Sequence, residues 1–445
     1  MAGLIGNLHS AASGMSVSQK SIQTTSHNIN NINTPGYSRQ RVEQSAKSAY
    51  SNPGYNSSMG PGQIGTGVQA TDVIRIRNTF YDFQYRSESH NYGQTSVKYQ
   101  HYTTMESIFN EPSDTSISSS IANFFSGWQE LSKNPTDLSA KDIVIQNSKY
   151  LATNISNVKE KLENLSSQAE KKLNDDVSEV NDMLDRLKEL DKQINLIQGS
   201  GKTPNDLMDE RDNILDDLSY KVDLNNTQVQ DALKTGELKI EKTATGELNL
   251  TDANGKVIDK PSGEIQGSID MVTNIGKYTE KITELAQGVA QGVNNILNGR
   301  DITSTVVDPD KDLFIIDTNG NPIIAVNDKI ADDTKSWTIT TDVANNVYKL
   351  KDQKFTIGKE ETTIDKFYNG IIQTLGNETQ EVIRSESNQG KVLKEIDNLR
   401  LNVSGVSIDE EMVNLIQFQH SYNASAKVIS TIDSLLDVVV NGLVR

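Results

Sequence analysis

"NINNINTPGYSRQ", residues 28–40, decides how the chain is read. A stretch with helical rhythm leads into it. It groups Asn30, Asn31 and Asn33 around two isoleucines, then turns on Thr34-Pro35-Gly36-Tyr37. Proline cannot donate the next helical hydrogen bond, and glycine accepts backbone angles that other residues resist. Asparagine readily leaves helical geometry. The stretch is a helix stop followed by an extended exit, and nothing in it looks catalytic.

Upstream, residues 4–32 read as one helix. Leu8, Met15, Ile22 and Ile29 fall seven apart, and Ala11, Ser18, Thr25 and Ile32 follow each of them by three. That is the a/d register of a coiled coil with two polar d positions. Residues 409–445 repeat it, with Leu415, Tyr422, Ile429, Leu436 and Leu443 in one row and Phe418, Ser425, Ile432 and Val439 in the other. Ser407 and Glu410 have the spacing of a capping box for this helix. One such pattern alone describes an ordinary amphipathic helix on a globular body. Two of them, one at each end and both with small or polar seam residues, suit helices that pack fully only among other copies. The residues expected to carry assembly are Leu8, Met15, Ile22 and Ile29 at one end and Leu415, Phe418, Tyr422, Ile429 and Leu436 at the other.

The middle of the chain is also long-helical. Neither Gly nor Pro interrupts residues 139–198, and Leu151, Ile155, Val158, Leu162, Leu165 and Ala169 step by four and three. One extra step of four before Leu173 is a stutter, which locally unwinds a left-handed supercoil. "GSGKTPND" ends this segment, with Thr203 as the expected cap and Pro204 in the first position of a new helix. Residues 272–299 and Phe367 to Leu399 read as further helices. Residues 222–262 and 300–361 are rich in Val, Ile and Thr with Asn-Gly turn pairs, and read as short strands. Residues 43–78 read as an extended arm ending in "VQATDVIRI". The expected fold class is mainly α: an elongated multi-domain rod of long antiparallel helices, with paired terminal helices and a small inserted β domain.

Composition excludes several functions. The chain has 445 residues, too many for a single core, and a net charge of −17. Nucleic-acid binding depends on neutralising phosphates, so no nucleic-acid partner is expected, and an anionic membrane surface is disfavoured for the same reason. There is no Cys, hence no disulfide framework, no thiolate metal site and no thiol nucleophile. No apolar run approaches the ~18 residues of a membrane span. The start, "MAGLIGNLHSAASGM", lacks the basic and apolar regions of an ordinary secretory signal.

Weak motifs fall away on inspection. Gly60, Gly62 and Gly65 match a dinucleotide-binding glycine pattern, but Pro61 lies inside it and a strand is expected after it. Asp308, Asp310 and Asp312 resemble the start of a calcium loop. Leu313 and Asn319, however, stand where such a loop needs Gly and Glu, so a solvated turn is expected. The five His are scattered without ligand or triad spacing. The carboxylates of "LMDERDNILDD" read as a solvated helix face. No catalytic residue, cofactor site or metal site is expected.

The quoted stretch, preceded by "SAASGM" and running on to "SRQRV", resembles the N-terminal signature of bacterial flagellar rod, hook and hook-associated proteins. "EEMVNLIQFQHSYNASAKVISTIDSLLD" resembles their C-terminal helix. Three further stretches resemble the hook-associated protein 1 (FlgK) family: "NEPSDTSISSSIANFFSGWQELSKNPTDLSAK", "TPNDLMDERDNILDDLS" and "SGVSIDEE". The resemblance covers both termini and nearly all the helical body. It departs in the β region, where an outer domain of larger members is expected to be missing.

The resemblance implies a non-enzymatic structural protein that joins hook to filament. It implies export through the flagellar type III channel and an extracellular place in the flagellum. The implied partners are other copies of itself in a ring, the hook protein, the next hook-associated junction protein, and a cytoplasmic export chaperone on the C-terminal helix. Asn30, Asn33, Thr34, Pro35, Gly36 and Tyr37 match the family turn and are expected to send the chain outward and to touch neighbouring copies.

The expected boundaries are 1–42 for the N-terminal helix and turn, 43–221 for the arm and helical body, and 222–262 for a β segment. Then come 263–299 for helical body, 300–361 for the small β domain, 362–404 for helical body and 405–445 for the C-terminal helix. A hook or rod subunit is the alternative, disfavoured because those bodies are mostly β. A wall hydrolase would need a convergent carboxylate pair or a His with a metal. An adhesin would need an exposed aromatic patch, for which Trp337 is the one candidate.

Overall fold

The computed structural model describes residues 2–48, 65–243, 247–317, 320 and 322–441. The fold is mainly α. Helix α1 (Ala2–Asn30) is followed by strands β1 (Gln40–Ala46) and β2 (Val68–Arg75). Helices α2 (Thr79–Phe109), α3 (Ile117–Lys133), α4 (Leu138–Gly199), α5 (Asn205–Lys221) and α6 (Thr227–Thr235) come next. Strands β3 (Leu238–Lys242) and β4 (Leu248–Asp252) precede α7 (Gly263–Leu297). Strands β5 (Phe314–Ile316) and β6 (Ile324–Val326), short helices α8 (Asp328–Asp332) and α9 (Thr341–Lys349), and strands β7 (Phe355–Ile357) and β8 (Glu360–Thr362) follow. Helices α10 (Ile364–Ser404) and α11 (Ile408–Asn441) close the chain. Every described sheet is a two-stranded antiparallel hairpin.

The chain divides into two compact units. One comprises Met1–Ser89, Asn181–Ser219 and Lys391–Arg445. Within it, α1 packs on α11 along one side and on the β1–β2 ribbon along another. The ribbon carries a bulge at Glu43/Gln44.

The other unit comprises His90–Val180 and Tyr220–Gly390. Its core is aromatic. Phe124 and Trp128 of α3 are fully buried and stack edge-on, and Phe124 also meets Phe314 of β5. Helix α3 starts where the Ser116 hydroxyl accepts from the Ser119 N–H at 3.2 Å, as an N-cap should. Asn294 of α7 exchanges two hydrogen bonds with the backbone of Phe314, at 2.8 and 3.0 Å, and so stands in for a strand at that edge.

Helix α4 is continuous over 62 residues. Its apolar positions from Leu151 to Leu184 are buried in the three-and-four rhythm of the sequence, across the stutter.

Elsewhere the structure differs from the reading. Residues 227–235 form a helix where strands are expected, capped by Asn226 and closed by Gly236 in the left-handed region. Two good caps outweigh a composition that favours strands. The described residues from 300 to 362 form two separate hairpins, two short α-helices and a 3-10 turn at Leu350–Asp352. Thr203 does not cap α5; its hydroxyl donates to Asp72 at 2.5 Å. Trp337 is not an exposed patch, because it is half-buried with its ring edge-on to Trp128. Gly60, Gly62, Asn319 and Leu443 lie outside the described residues.

Candidate functional site at the junction of the terminal helices

Helix α1 ends because its last carbonyls find partners other than the next turn. Asn31 Nδ2 donates to the His27 carbonyl at 3.0 Å, and the Thr34 and Tyr37 amides close successive turns onto Asn31 and Thr34. Gly36 sits at φ +72°. A Cβ there would also lie 1.8 Å from Asn213 Oδ1 of α5, a side-chain end that would have to move, so the backbone conformation is the stronger demand for glycine.

Just upstream, Asn28 is buried and uses its whole hydrogen-bonding capacity. Its Oδ1 accepts from the Tyr37 hydroxyl at 2.8 Å and from the Gln40 N–H at 2.9 Å. Its Nδ2 donates to the Gln40 carbonyl at 2.9 Å and to Glu411 Oε2 at 2.8 Å. Glu411, 2% exposed, also accepts Arg39 Nε at 2.8 Å, while its neighbour Glu410 accepts Arg39 Nη1 at the same distance. The glutamate read as half of a capping box thus receives an arginine from the turn. Tyr37 lies 2.9 Å from His27 Nδ1. Burial, followed by the charges of Asp206, Asp209 and Glu411, pushes its phenol well above the ordinary range, so it stays a donor.

The next residue ties the turn to α5. Ser38 donates its N–H and its hydroxyl to the two oxygens of Asp209, at 3.0 and 2.7 Å. Asp209, Asp212 and Asp216 recur at helical spacing on α5, and each is more than four-fifths buried. Arg75 bridges Asp209 and Asp212 at 2.7 and 2.8 Å, and Arg86 bridges Asp212 and Asp216 at 3.2 and 2.6 Å. Arg77 holds Asp82 at 2.8 Å, and Arg400 of α10 joins Asp216 and Asp397. Burial alone would raise the Asp212 carboxyl, but Arg77, Arg75 and Arg86 outweigh it and hold it below its ordinary value.

Three carboxylates of "LMDERDNILDD", Asp209, Asp212 and Asp216, are therefore half of a mostly buried ion lattice, while Glu210 and Asp217 stay on the solvated face the sequence suggested. A helix wheel cannot tell a face turned to water from one turned to arginines. Asp209, Asp212 and Asp216 each face a guanidinium. Among the described residues no group of three or more His, Cys, Asp and Glu could hold a metal ion. Asp312, in the calcium-like stretch, is spent on Asn298 and Arg300.

The structure brings the predicted seam together. Leu8, Met15, Ile22 and Ile29 of α1 and Leu415, Phe418, Tyr422, Ile429 and Leu436 of α11 are half-buried, and Ile432 is buried. The helices run antiparallel: Asn28 meets Glu411, and fourteen residues earlier on α1 and fourteen later on α11 Gly14 meets Ser425. Of the predicted turn residues, Asn30, Asn33, Thr34, Pro35 and Gly36 are exposed and Tyr37 is half-buried.

The residues that do the joining, Asn28, Ser38, Arg39, Gln40, Asp209 and Glu411, were not singled out from sequence. A signal for Asn28 existed. Ser13, Val17, Ser21, Thr24 and Asn28 are buried at steps of three and four, a second stripe on α1 that faces the β ribbon. Ser13 Oγ accepts the Val68 N–H there at 3.2 Å.

Comparison with known proteins gives this junction a family. The model of the flagellar hook-associated protein FlgK helical domain matches residues 102–314. Models of the flagella basal body rod protein and of the flagellar basal body rod FlgEFG protein C-terminal region match residues 8–37 and 399–442, the two halves of the seam. Flagellar hook-associated protein 1 of Bacillus subtilis is 31% identical over 508 residues, covering 98% of each chain. The chain belongs to the flagellar hook-associated protein 1 family. The Salmonella typhimurium member is 22% identical over 98% of this chain and 99% of its own. A solved structure titled as the flagellar hook junction protein FlgK from Burkholderia pseudomallei is 19% identical, covers 53% of this chain and 46% of its own, and gives a TM-score of 0.43.

Membership makes this chain a structural protein of the extracellular flagellum and not an enzyme. Self-assembly in the flagellum and association with the hook come with it. The alignment with the Bacillus subtilis relative is longer than this chain, so that relative holds insertions absent here.

Proposed function

We propose that copies of this chain form the junction between hook and filament, assembling through α1 and α11 after export through the flagellar type III channel. One observation carries this reading. Helix α11 is apolar on two sides. Its seam side lies on α1, while Met412, Val413, Ile416, Val428, Leu435 and Val438, beside and behind the seam, are 46–64% exposed. A helix apolar all round is a buried helix in its working state. Neighbouring copies of a self-assembling family are the natural cover for that second side. The exposed turn, Asn33 to Pro35, is a further surface open to them.

The hook protein and the next hook-associated protein would meet the two ends of the ring. Before export, the same uncovered side of α11 suits a cytoplasmic chaperone that receives an amphipathic helix in a groove. A hook or rod subunit is the rival reading, since the terminal family models belong to rod proteins. The match over 102–314 to a hook-associated helical domain favours the junction.

Val413→Asp with Leu435→Asp tests the proposal. Both positions are exposed in the single chain, so the variant should fold and be exported. Cells carrying only this variant should bear hooks without filaments and shed flagellin into the medium, seen by electron microscopy and assay of the supernatant. Loss of hooks as well would favour a hook or rod subunit, and full-length filaments would refute assembly through this side of α11.

A further inference from the structure

The α1–α11 seam is a poor ruler. Gly14, Ser18 and Thr25 on one helix and Ser425 on the other are small or polar, and a seam of small residues distinguishes weakly between its own register and a slip of one turn. Buried polar groups at such seams are best attested as register-setting devices. Among the described residues this seam has one such interhelical device, at the end where α11 starts: Asn28 and Arg39 converging on the buried carboxylate of Glu411. The Arg39 backbone is fixed on its other side, where its N–H donates to the Ser404 carbonyl at 2.9 Å. Asn28 is fixed by Tyr37 and Gln40.

We propose that Glu411 is the positioning residue of the assembly helix. By accepting Asn28 and Arg39 together it fixes where α11 starts against α1. It thereby fixes the rotation at which Met412, Val413 and Ile416 are presented to a neighbour. The family turn is then an internal clasp more than an outward contact. Asn28 and Arg39, which flank it, lock the two ends of the chain to each other, and its exposed residues stay open to neighbours. That α11 meets neighbours at all rests on the function proposed above. The register claim concerns the single chain and stands or falls without it.

The chain contains no cysteine, so an introduced pair reports register cleanly. A Cβ on Gly14 would lie 3.3 Å from Ser425 Oγ, within reach of a disulfide. Gly14→Cys with Ser425→Cys should therefore crosslink in the purified single chain. Gly14→Cys with Ile429→Cys, one turn out, should crosslink poorly. Adding Glu411→Ala should cut the ratio of in-register to slipped crosslinking at least tenfold, and Glu411→Gln, which keeps one acceptor, should cut it less. If Glu411→Ala also loses helical content by circular dichroism, the isosteric Gln variant decides: a lowered ratio at full helical content supports the clasp. A ratio unchanged in the Gln variant and in a folded Ala variant overturns it. Failure of the filament experiment with an intact register result would remove the junction reading and leave the clasp standing.

Discussion

Gly36→Ala separates two reasons for glycine at the centre of the turn. Position 36 lies at φ +72°, where an L-residue with a Cβ is disfavoured by roughly 1–2 kcal/mol. The new methyl would also fall 1.8–2.3 Å from the Asn213 carboxamide. That group is the end of a flexible, half-buried side chain and can swing aside, so most of the loss should come from the backbone. A two-unit chain does not unfold in one step, so a global midpoint is the wrong readout. Amide hydrogen exchange reads the local opening directly.

The Thr34, Tyr37 and Gln40 amides are all hydrogen-bonded in the turn and should exchange about 5–30-fold faster in Gly36→Ala, the equivalent of roughly 1–2 kcal/mol. Adding Asn213→Ala should recover only the small steric share. Gly36→Asn, which tolerates left-handed geometry, should do better than Ala on the backbone term. Wild-type exchange in Gly36→Ala would refute the conformational argument. Full recovery in the double variant would show that space, not φ, requires the glycine.

Two further outcomes follow from the cores of the two units. Asp212 has a folded-state pKa below its ordinary 3.8, so its stabilising contribution is complete above about pH 4 and is lost as pH falls through the lower folded value. Asp212→Asn should lose charge-assisted bonds worth roughly 1.5–3 kcal/mol at neutral pH and flatten the acid unfolding of that unit, followed by exchange of α5 amides. An acid profile unchanged in slope would contradict the assignment. Trp128 is fully buried with its indole N–H unpartnered, so Trp128→Phe gives up about 1 kcal/mol of packing and removes an unsatisfied donor worth a similar amount. Exchange of the α3 amides should place it within about 1 kcal/mol of wild type, whereas Leu131→Ala should lose about 2–5 kcal/mol; a loss above about 2 kcal/mol for Trp128→Phe would refute the offset.

What could be read from sequence was whatever repeats. The heptads of Leu8 to Ile32 and Leu415 to Val439 announced a seam, and the three-and-four rhythm of Leu151 to Leu184 announced a long helix buried along one stripe. Periodicity fails where partners are distant and polar. Arg39 and Glu411 are 372 residues apart, and Asp209 and Ser38 are 171 apart. Nothing local in "SRQRV" says that its serine meets an aspartate of "DERDNILDD" or that its first arginine meets a glutamate of the last helix. The short caps at Asn226 and Gly236 were missed for a different reason. A nine-residue helix has too few turns to show a stripe, so its β-branched neighbours set the reading.

Helix α1 shows what the repeat concealed. Its a/d row accounts for the face on α11, and the eye stops there. The stripe Ser13, Val17, Ser21, Thr24 and Asn28 is polar apart from Val17, and so does not register as a core. A polar stripe can be buried if the opposing surface is backbone. Here it is: the β ribbon offers the Val68 N–H to Ser13 and both backbone groups of Gln40 to Asn28. The Ser13 hydroxyl and the Asn28 amide on α1 act as side-chain partners for the ribbon's backbone, and apolar residues at those two positions would leave its groups unpaired. The lean apolar content of the terminal helix follows from that geometry. One face holds another helix loosely enough to need a clasp, and the other binds a backbone that only polar side chains can satisfy.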